Sequence, residues 1–117
     1  MLTPYVDATN ERLRGYLEES GHEVTDLRGL AILDMYSHAE VTSGDLYRAA
    51  RGLEIDNADA VFIACTQLKT IDILDALESD LGIPVVSAVQ ASFWAALVAI
   101  GGVGLPIVGY GTLLRES

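Results

Sequence analysis

Cys65, the single cysteine of the chain, is the residue whose type and position best suit chemistry. An apolar run, residues 60–64, ends at this thiol, and Thr66 and Gln67 follow before an amphipathic segment begins at Thr70. Open α/β sheets bind ligands at the carboxyl ends of their parallel strands, where this cysteine is expected. A nearby helix amino terminus would favour the thiolate and make this thiol a better acid at neutral pH. The alternative is a small buried hydrophobic residue, as most free cysteines are.

Other side chains offer fewer chemical possibilities. Thr66 and Gln67 place a hydroxyl and backbone N–H groups where a carboxylate can bind, although an ordinary helix cap is a compatible alternative. His22 and His38 are too far apart in sequence to form a local helical metal pair, and one cysteine excludes a multi-cysteine zinc site. His38 lies in a predicted loop, where a solvated side chain is expected and a role in shaping the substrate site is the weaker alternative. We predict no metal site and no cofactor.

Length and composition indicate one acidic globular domain. The 117 residues, 50% of them hydrophobic, suffice for one packed core, and the formal charge of −10 disfavours nucleic acid and anionic membranes as partners. The chain begins without a signal-peptide pattern, so a cytoplasmic location is the default expectation. Residues 81–114 carry no charge, but Pro84, Gln90 and a glycine cluster interrupt them. This pattern favours a buried strand and a buried helix over a membrane span.

The elements that must position the thiol are alternating helices and strands, which predict an α/β fold with a parallel sheet and flanking helices. The first helix is expected to begin at Thr3 or Pro4. On the helix after the cysteine, Asp75 and Glu78 are assigned to the solvent face. The predicted segments are, in order, helix to residue 20, strand 23–27, loop 29–41, helix to 51 capped by Thr42 or Ser43, strand 60–64, helix 70–81 ended by Gly82, strand 83–86, helix 89–100 capped by Ser87, and a glycine-rich tail, 101–111.

Several motifs occur in order through nearly the whole chain. They are Thr3-Pro4-Tyr5-Val6, Asn10-Glu11-Arg12-Leu13, Arg28-Gly29-Leu30, Asp59-Ala60-Val61-Phe62-Ile63, Cys65-Thr66-Gln67-Leu68-Lys69-Thr70, Leu81-Gly82-Ile83-Pro84-Val85-Val86-Ser87, Gln90-Ala91-Ser92-Phe93-Trp94 and Gly109-Tyr110-Gly111-Thr112-Leu113-Leu114. In these motifs the chain resembles the aspartate/glutamate racemase superfamily, in the branch of maleate cis-trans isomerases and arylmalonate decarboxylases.

The resemblance implies a flavodoxin-like fold and a two-lobe enzyme in which each lobe supplies one residue to a shared site. Residues 1–117 are similar to the second lobe, so we expect a single lobe whose opening strand is largely missing, with only Leu2 left of it. By the same resemblance, Cys65 is the acid/base thiol, while Tyr5 and Thr66, with Gln67, bind the carboxylate of the substrate. The expected partners are a small carboxylic acid and either the missing first lobe or another copy of the chain.

The expected activity is cofactor-independent proton transfer at a carbon next to a carboxylate, as in maleate isomerases, with little activity from this lobe alone. Met35 occupies a position where these isomerases are expected to carry an asparagine, which leaves an arylmalonate decarboxylase-like enzyme as an alternative. A noncatalytic, self-associating module is the alternative from another class, because the helix 89–100 is unusually apolar.

Overall fold

The computed structural model describes residues 1–102 and 104–116, so Val103 in the predicted glycine-rich tail and Ser117 lie outside the described residues. Within that range, four parallel strands form one sheet in the order β2-β1-β3-β4. The strands are β1 (Leu2–Thr3), β2 (Arg28–Gly29), β3 (Val61–Ile63) and β4 (Val85–Ser87). The helices are α1 (Asp7–Glu19), α2 (Ser43–Arg51), α3 (Leu74–Leu81), α4 (Ala88–Ala99) and α5 (Thr112–Arg115), with 3₁₀ helices at Met35–Glu40 and Ile71–Ile73.

The hydrophobic core lies where α2 and α3 cover the sheet. Leu46 of α2, Leu74 and Leu77 of α3, and Leu2 and Ile63 of the two interior strands are all fully buried. Truncating any of these side chains to alanine would cost about 2–5 kcal/mol, because a cavity adds to the lost burial. The predicted flavodoxin-like arrangement of parallel strands and flanking helices is confirmed.

The predicted start of the first helix is wrong. β1 ends at Thr3, Pro4 and Tyr5 form bends, and α1 begins at Asp7. The carbonyl groups of Pro4 and Tyr5 accept hydrogen bonds from the backbone N–H groups of Ile32 (2.9 Å) and Ala31 (3.2 Å). A helix from residue 3 would break these interstrand bonds, so sheet pairing decides where α1 starts.

The predicted strand 23–27 is also wrong, because pairing with β1 occurs later in the chain. Leu2 pairs with Arg28, and Thr3 pairs with Gly29, so the edge strand β2 is Arg28–Gly29. The expected loop that follows contains a 3₁₀ helix, Met35–Glu40. This turn of helix places residue 38 over the end of the sheet instead of in solvent.

The predicted helix boundaries near β4 and α2 are confirmed. Thr42 and Ser87 each begin a helix with a reciprocal capping box, and Gly82 ends α3 with a φ of 76°. The burial predicted for α4 is wrong: Gln90 is its one buried residue, and Phe93 is 50% exposed. No helix among the described residues is long and apolar enough to cross a membrane.

The acidic residues of α3 have a structural role that the sequence did not predict. Asp75 accepts a hydrogen bond from the backbone N–H of Gly111 at 2.7 Å. Glu78 accepts from the N–H groups of Val85 in β4 (2.9 Å) and Thr112 in α5 (2.8 Å). The expectation that both carboxylates only face solvent is therefore wrong, because they hold the tail onto the sheet.

A buried hydroxyl in the loop before α3 gives a test of the packing. Thr70 is fully buried, and its Oγ1 has no hydrogen-bond partner among the described residues. We expect Thr70→Val to raise the free energy of unfolding by about 1 kcal/mol in urea titrations, because it removes an unsatisfied polar atom without changing the shape. Thr3→Val is the matched control: the Thr3 hydroxyl is equally buried but hydrogen-bonded to Asn10 and Tyr5, so this variant should lose stability. Equal effects of the two substitutions would contradict the assignment.

Candidate active site

Three segments meet at the carboxyl edge of the sheet. Tyr5 follows β1, Cys65 follows β3, and His38 lies in the 3₁₀ helix that follows β2. Because these three strands are neighbours in the order β2-β1-β3, their ends bring the three side chains together. Tyr5 and Cys65, predicted for the site, therefore lie in one cluster, and His38 joins them.

The backbone of Cys65 is held in an unusual conformation. Its φ is 84°, in the left-handed region that favours glycine. The Cys65 carbonyl accepts a hydrogen bond from the N–H of Leu68 at 3.3 Å, which closes a tight turn after β3. Holding a residue with a Cβ in this region costs on the order of 1–2 kcal/mol. The side chain is partly exposed at the end of the strand.

The helical segment predicted over residues 70–81 is present, as a short 3₁₀ helix that leads into α3. The 3₁₀ helix starts at Ile71 and α3 at Leu74, so no helix amino terminus abuts the sulfur. Thr66 and Gln67 lie in the intervening turn and are exposed, and neither caps a helix. Their predicted position next to the thiol holds, but the expected help from a helix dipole does not.

His38 was expected to be solvated, and this expectation is wrong. The side chain is only 6% exposed, and its Nδ1 lies 3.7 Å from Cys65 Sγ. Its Nε2 lies 3.5 Å from the backbone carbonyl oxygen of Ile32. No local sequence pattern marks this contact, because 27 residues separate His38 from the cysteine.

Tyr5 completes the cluster from the side of β1. Its ring meets the His38 imidazole edge to face, with ring centroids 6.0 Å apart. Burial, and then the charge of Cys65 and a hydrogen bond to its side chain, raise the pKa of the Tyr5 phenol above its usual value. The phenol therefore stays protonated around neutral pH and can donate a hydrogen bond.

A buried polar network fixes the backbone that carries Tyr5. The Thr3 hydroxyl donates to the Asn10 side-chain oxygen and accepts from the Tyr5 N–H at 3.2 Å. The Asn10 amide donates to the Tyr5 carbonyl oxygen at 3.1 Å. Gly29 packs directly against this network, leaving no room for a side chain. Residues of three separate motifs, around positions 3–6, 10 and 29, thus meet in one network.

Cys65 opens into a surface cavity of about 480 Å³ between α1 and the sheet. Its other lining residues are Tyr5, Thr9, Arg12, Leu13, Phe62 and Ala64. Arg12 is the cationic residue of this lining. A second cavity of about 500 Å³ lies toward the opposite end of the strands and contains none of the predicted site residues. Among the described residues, no group of three His, Cys, Asp or Glu side chains could hold a metal ion.

Comparison with known proteins gives one family model and relatives of two activities. The family model described as arylmalonate decarboxylase matches residues 1–114. The chain is 35% identical to arylmalonate decarboxylase of Bordetella bronchiseptica, covering 100% of this chain and 50% of that protein. It is 31% identical to maleate isomerase of Nocardia farcinica, covering 100% of this chain and 47% of that protein.

The solved structures agree with the sequence relatives. A maleate isomerase from Pseudomonas putida, solved with maleate, has a TM-score of 0.93 to this chain at 30% identity, covering 99% of this chain and 46% of that one. The chain thus spans about half the length of the proteins it matches. The expected likeness to one lobe of a longer enzyme is confirmed.

The strained backbone at position 65 predicts an order of stability among variants. The free energy of unfolding of Cys65→Gly should exceed that of Cys65→Ala by about 1 kcal/mol, because only glycine adopts this φ without strain. Urea titrations measure the difference as a higher midpoint for the glycine variant. Both variants lose the sulfur, so the comparison isolates the backbone. An alanine variant as stable as the glycine variant would show that the residue is not strained.

Gly29 provides a second test of how the site is supported. A Cβ added there would lie 2.3 Å from Asn10 Nδ2 and 2.7 Å from the Tyr5 carbonyl oxygen. We expect Gly29→Ala to lower the free energy of unfolding by about 1–3 kcal/mol, because the packed network must shift. Gly15→Ala in α1 is the control: nothing lies within 4 Å of its added Cβ, so stability should rise slightly. Chemical denaturation of both variants decides the point, and a neutral Gly29→Ala would contradict it.

Proposed function

Because the chain belongs to the arylmalonate decarboxylase family, we propose that it forms the Cys65-bearing half of a cofactor-independent enzyme. This enzyme transfers a proton at a carbon next to a carboxylate in a small mono- or dicarboxylic acid. The observation that carries the proposal is the Cys65 thiol itself, held at the carboxyl edge of the sheet beside the Tyr5 phenol. A cytoplasmic location stays a prediction from the sequence.

In the proposed mechanism, the Cys65 thiol delivers a proton to the carbon, or its thiolate removes one. The protonated Tyr5 phenol donates a hydrogen bond to the substrate carboxylate, whose negative charge grows as the enediolate forms. Thr66 and Gln67 are exposed in the turn after Cys65, where the Thr66 hydroxyl and the backbone N–H groups can bind the substrate carboxylate. Arg12, at the rim of the same cavity, offsets part of the repulsion that a chain of net charge −10 exerts on an anionic substrate.

We favour a maleate isomerase-like reaction, since maleate isomerases recur among the relatives and solved structures that this chain matches. An arylmalonate decarboxylase-like reaction is the second candidate, and one structural observation favours it. Leu33, Met35 and Tyr36 are apolar or aromatic, strongly exposed, and lie in the segment leading to His38. Such a surface suits an aromatic substituent better than the second carboxylate of maleate.

We propose that another lobe completes the substrate site. This lobe is either a first lobe, in another polypeptide or another segment, or a second copy of this chain. The chain spans about half of its relatives, which is consistent with a shared site. Exposed apolar side chains on and after α4, at Phe93, Val98 and Ile100, offer a surface for such contact. The alternative to an enzyme is a noncatalytic module that self-associates through this surface.

The test is turnover of maleate, aspartate and an arylmalonate by the chain alone and after mixing with a first-lobe chain of a relative. We expect little turnover alone, turnover in the mixture, and a loss of at least about 100-fold in Cys65→Ser, because general acid–base catalysis typically contributes that much. The substrate that turns over, followed by product chromatography, distinguishes the two reactions.

Sedimentation velocity run on the same samples tests the assembly. A mixture that forms the two-lobe complex yet turns over none of the three substrates would overturn the enzymatic proposal and favour the interaction module. Turnover unchanged in Cys65→Ser would instead remove Cys65 from the mechanism.

A further inference from the structure

We infer that His38 is a positioning residue that accepts the thiol proton of Cys65 at Nδ1 and holds the resulting thiolate in place. In this step the S–H bond breaks and an Nδ1–H bond forms, giving an imidazolium beside a thiolate without any further reagent. The catalytic use of this pair rests on the proposed function, but the pair itself can be tested without a substrate.

The contacts of the imidazole indicate which of its two nitrogens is protonated in the neutral ring. Nε2 lies 3.5 Å from the carbonyl oxygen of Ile32, which can only accept a hydrogen bond, so we assign the proton of the neutral ring to Nε2. Nδ1 is then unprotonated and lies 3.7 Å from Cys65 Sγ, as an acceptor for the thiol proton. The same arrangement of a base oriented by a third group activates cysteine nucleophiles in general.

Burial makes this arrangement specific. Only 6% of the His38 surface is exposed, so the packing around the ring limits its orientation. The 3₁₀ helix that carries it is capped at Asp34, whose carboxylate accepts from the Tyr36 N–H at 3.0 Å. Its end is closed by a hydrogen bond from the Val41 N–H to the His38 carbonyl oxygen at 3.4 Å.

The titratable groups that face His38 are few. Cys65 faces it from the turn after β3, and Tyr5 from the connection after β1. On its own segment, Asp34 and Glu40 are exposed, and the Asp34 carboxylate is occupied by Tyr36 and Ser37. Within the described residues no carboxylate contacts the imidazole, so the thiol is the acidic group placed to exchange a proton with it.

The surroundings of Cys65 explain why a cationic partner would favour its thiolate. A thiol is favoured as thiolate by a nearby positive charge or a helix amino terminus, and here the helix begins only after several intervening residues. The overall charge of −10 opposes a further negative charge. An imidazolium protonated at Nδ1 places a positive charge directly beside the sulfur.

The first experiment follows alkylation of the single cysteine by iodoacetamide against pH, using mass spectrometry on the full chain. We expect the wild-type protein to react with a midpoint below the value of about 8.5 for an ordinary thiol, and His38→Asn to move the midpoint up by about one pH unit or more. His22→Asn is the matched control, since His22 is the other histidine and is exposed, and its profile should equal that of the wild type. A His38→Asn profile that superimposes on both would overturn the inference.

A second measurement covers the case in which His38→Asn does not fold. Nitrogen chemical shifts of the two imidazoles, recorded against pH by NMR, report the tautomer and the titration midpoint of His38. Because interacting groups titrate as a pair, Cys65→Ser should move the His38 midpoint to lower pH and leave His22 unchanged. A His38 titration that is identical in the two proteins, or a neutral tautomer protonated at Nδ1, would refute the pairing. Neither experiment depends on turnover, so failure of the pair and failure of the proposed function remain distinguishable.

Discussion

The pairing of β1 with two neighbouring strands is the constraint on which the rest of the structure depends. Leu2 pairs with Arg28 on one side and with Ile63 on the other, and Leu2 and Thr3 are the whole of this strand. This short interior strand sets the positions of the segments that leave β1, β2 and β3 at their carboxyl ends. The proximity of phenol, imidazole and thiol follows from strand order and not from closeness in sequence.

Much of the fold could be predicted because the controlling signals are local. The caps at Thr42 and Ser87 and the glycine that ends α3 are short motifs whose side chains act within a few residues. The apolar strand before Cys65 is equally local. The start of α1 and the position of β2 were mispredicted because both depend on hydrogen bonds between segments about 26 residues apart. Periodicity in one segment carries no information on such partners.

The site shows the same division. Cys65 stood out because a unique thiol at the end of an apolar strand is visible in the sequence, and Tyr5 entered through the family resemblance. His38 did not stand out, because its burial depends on a 3₁₀ helix that folds this segment back over the sheet. Asp75 and Glu78 were assigned to solvent because a helical pattern shows on which side of the helix a residue lies. The pattern does not show that a later segment of the chain covers this side.

The carboxylate of Glu78 joins two parts of the chain that are far apart in sequence. It holds the N–H of Val85 at the start of β4 and that of Thr112 in α5, while Gln90 of α4 donates to the Tyr110 carbonyl oxygen at 2.6 Å. Because one carboxylate holds both segments and Gln90 holds the tail to α4, an opening that displaces Glu78 would loosen the edge strand β4, α4 and the tail together. Their amide protons would exchange with solvent at a common rate, set by this local opening, and faster than those of β3 beneath α2 and α3.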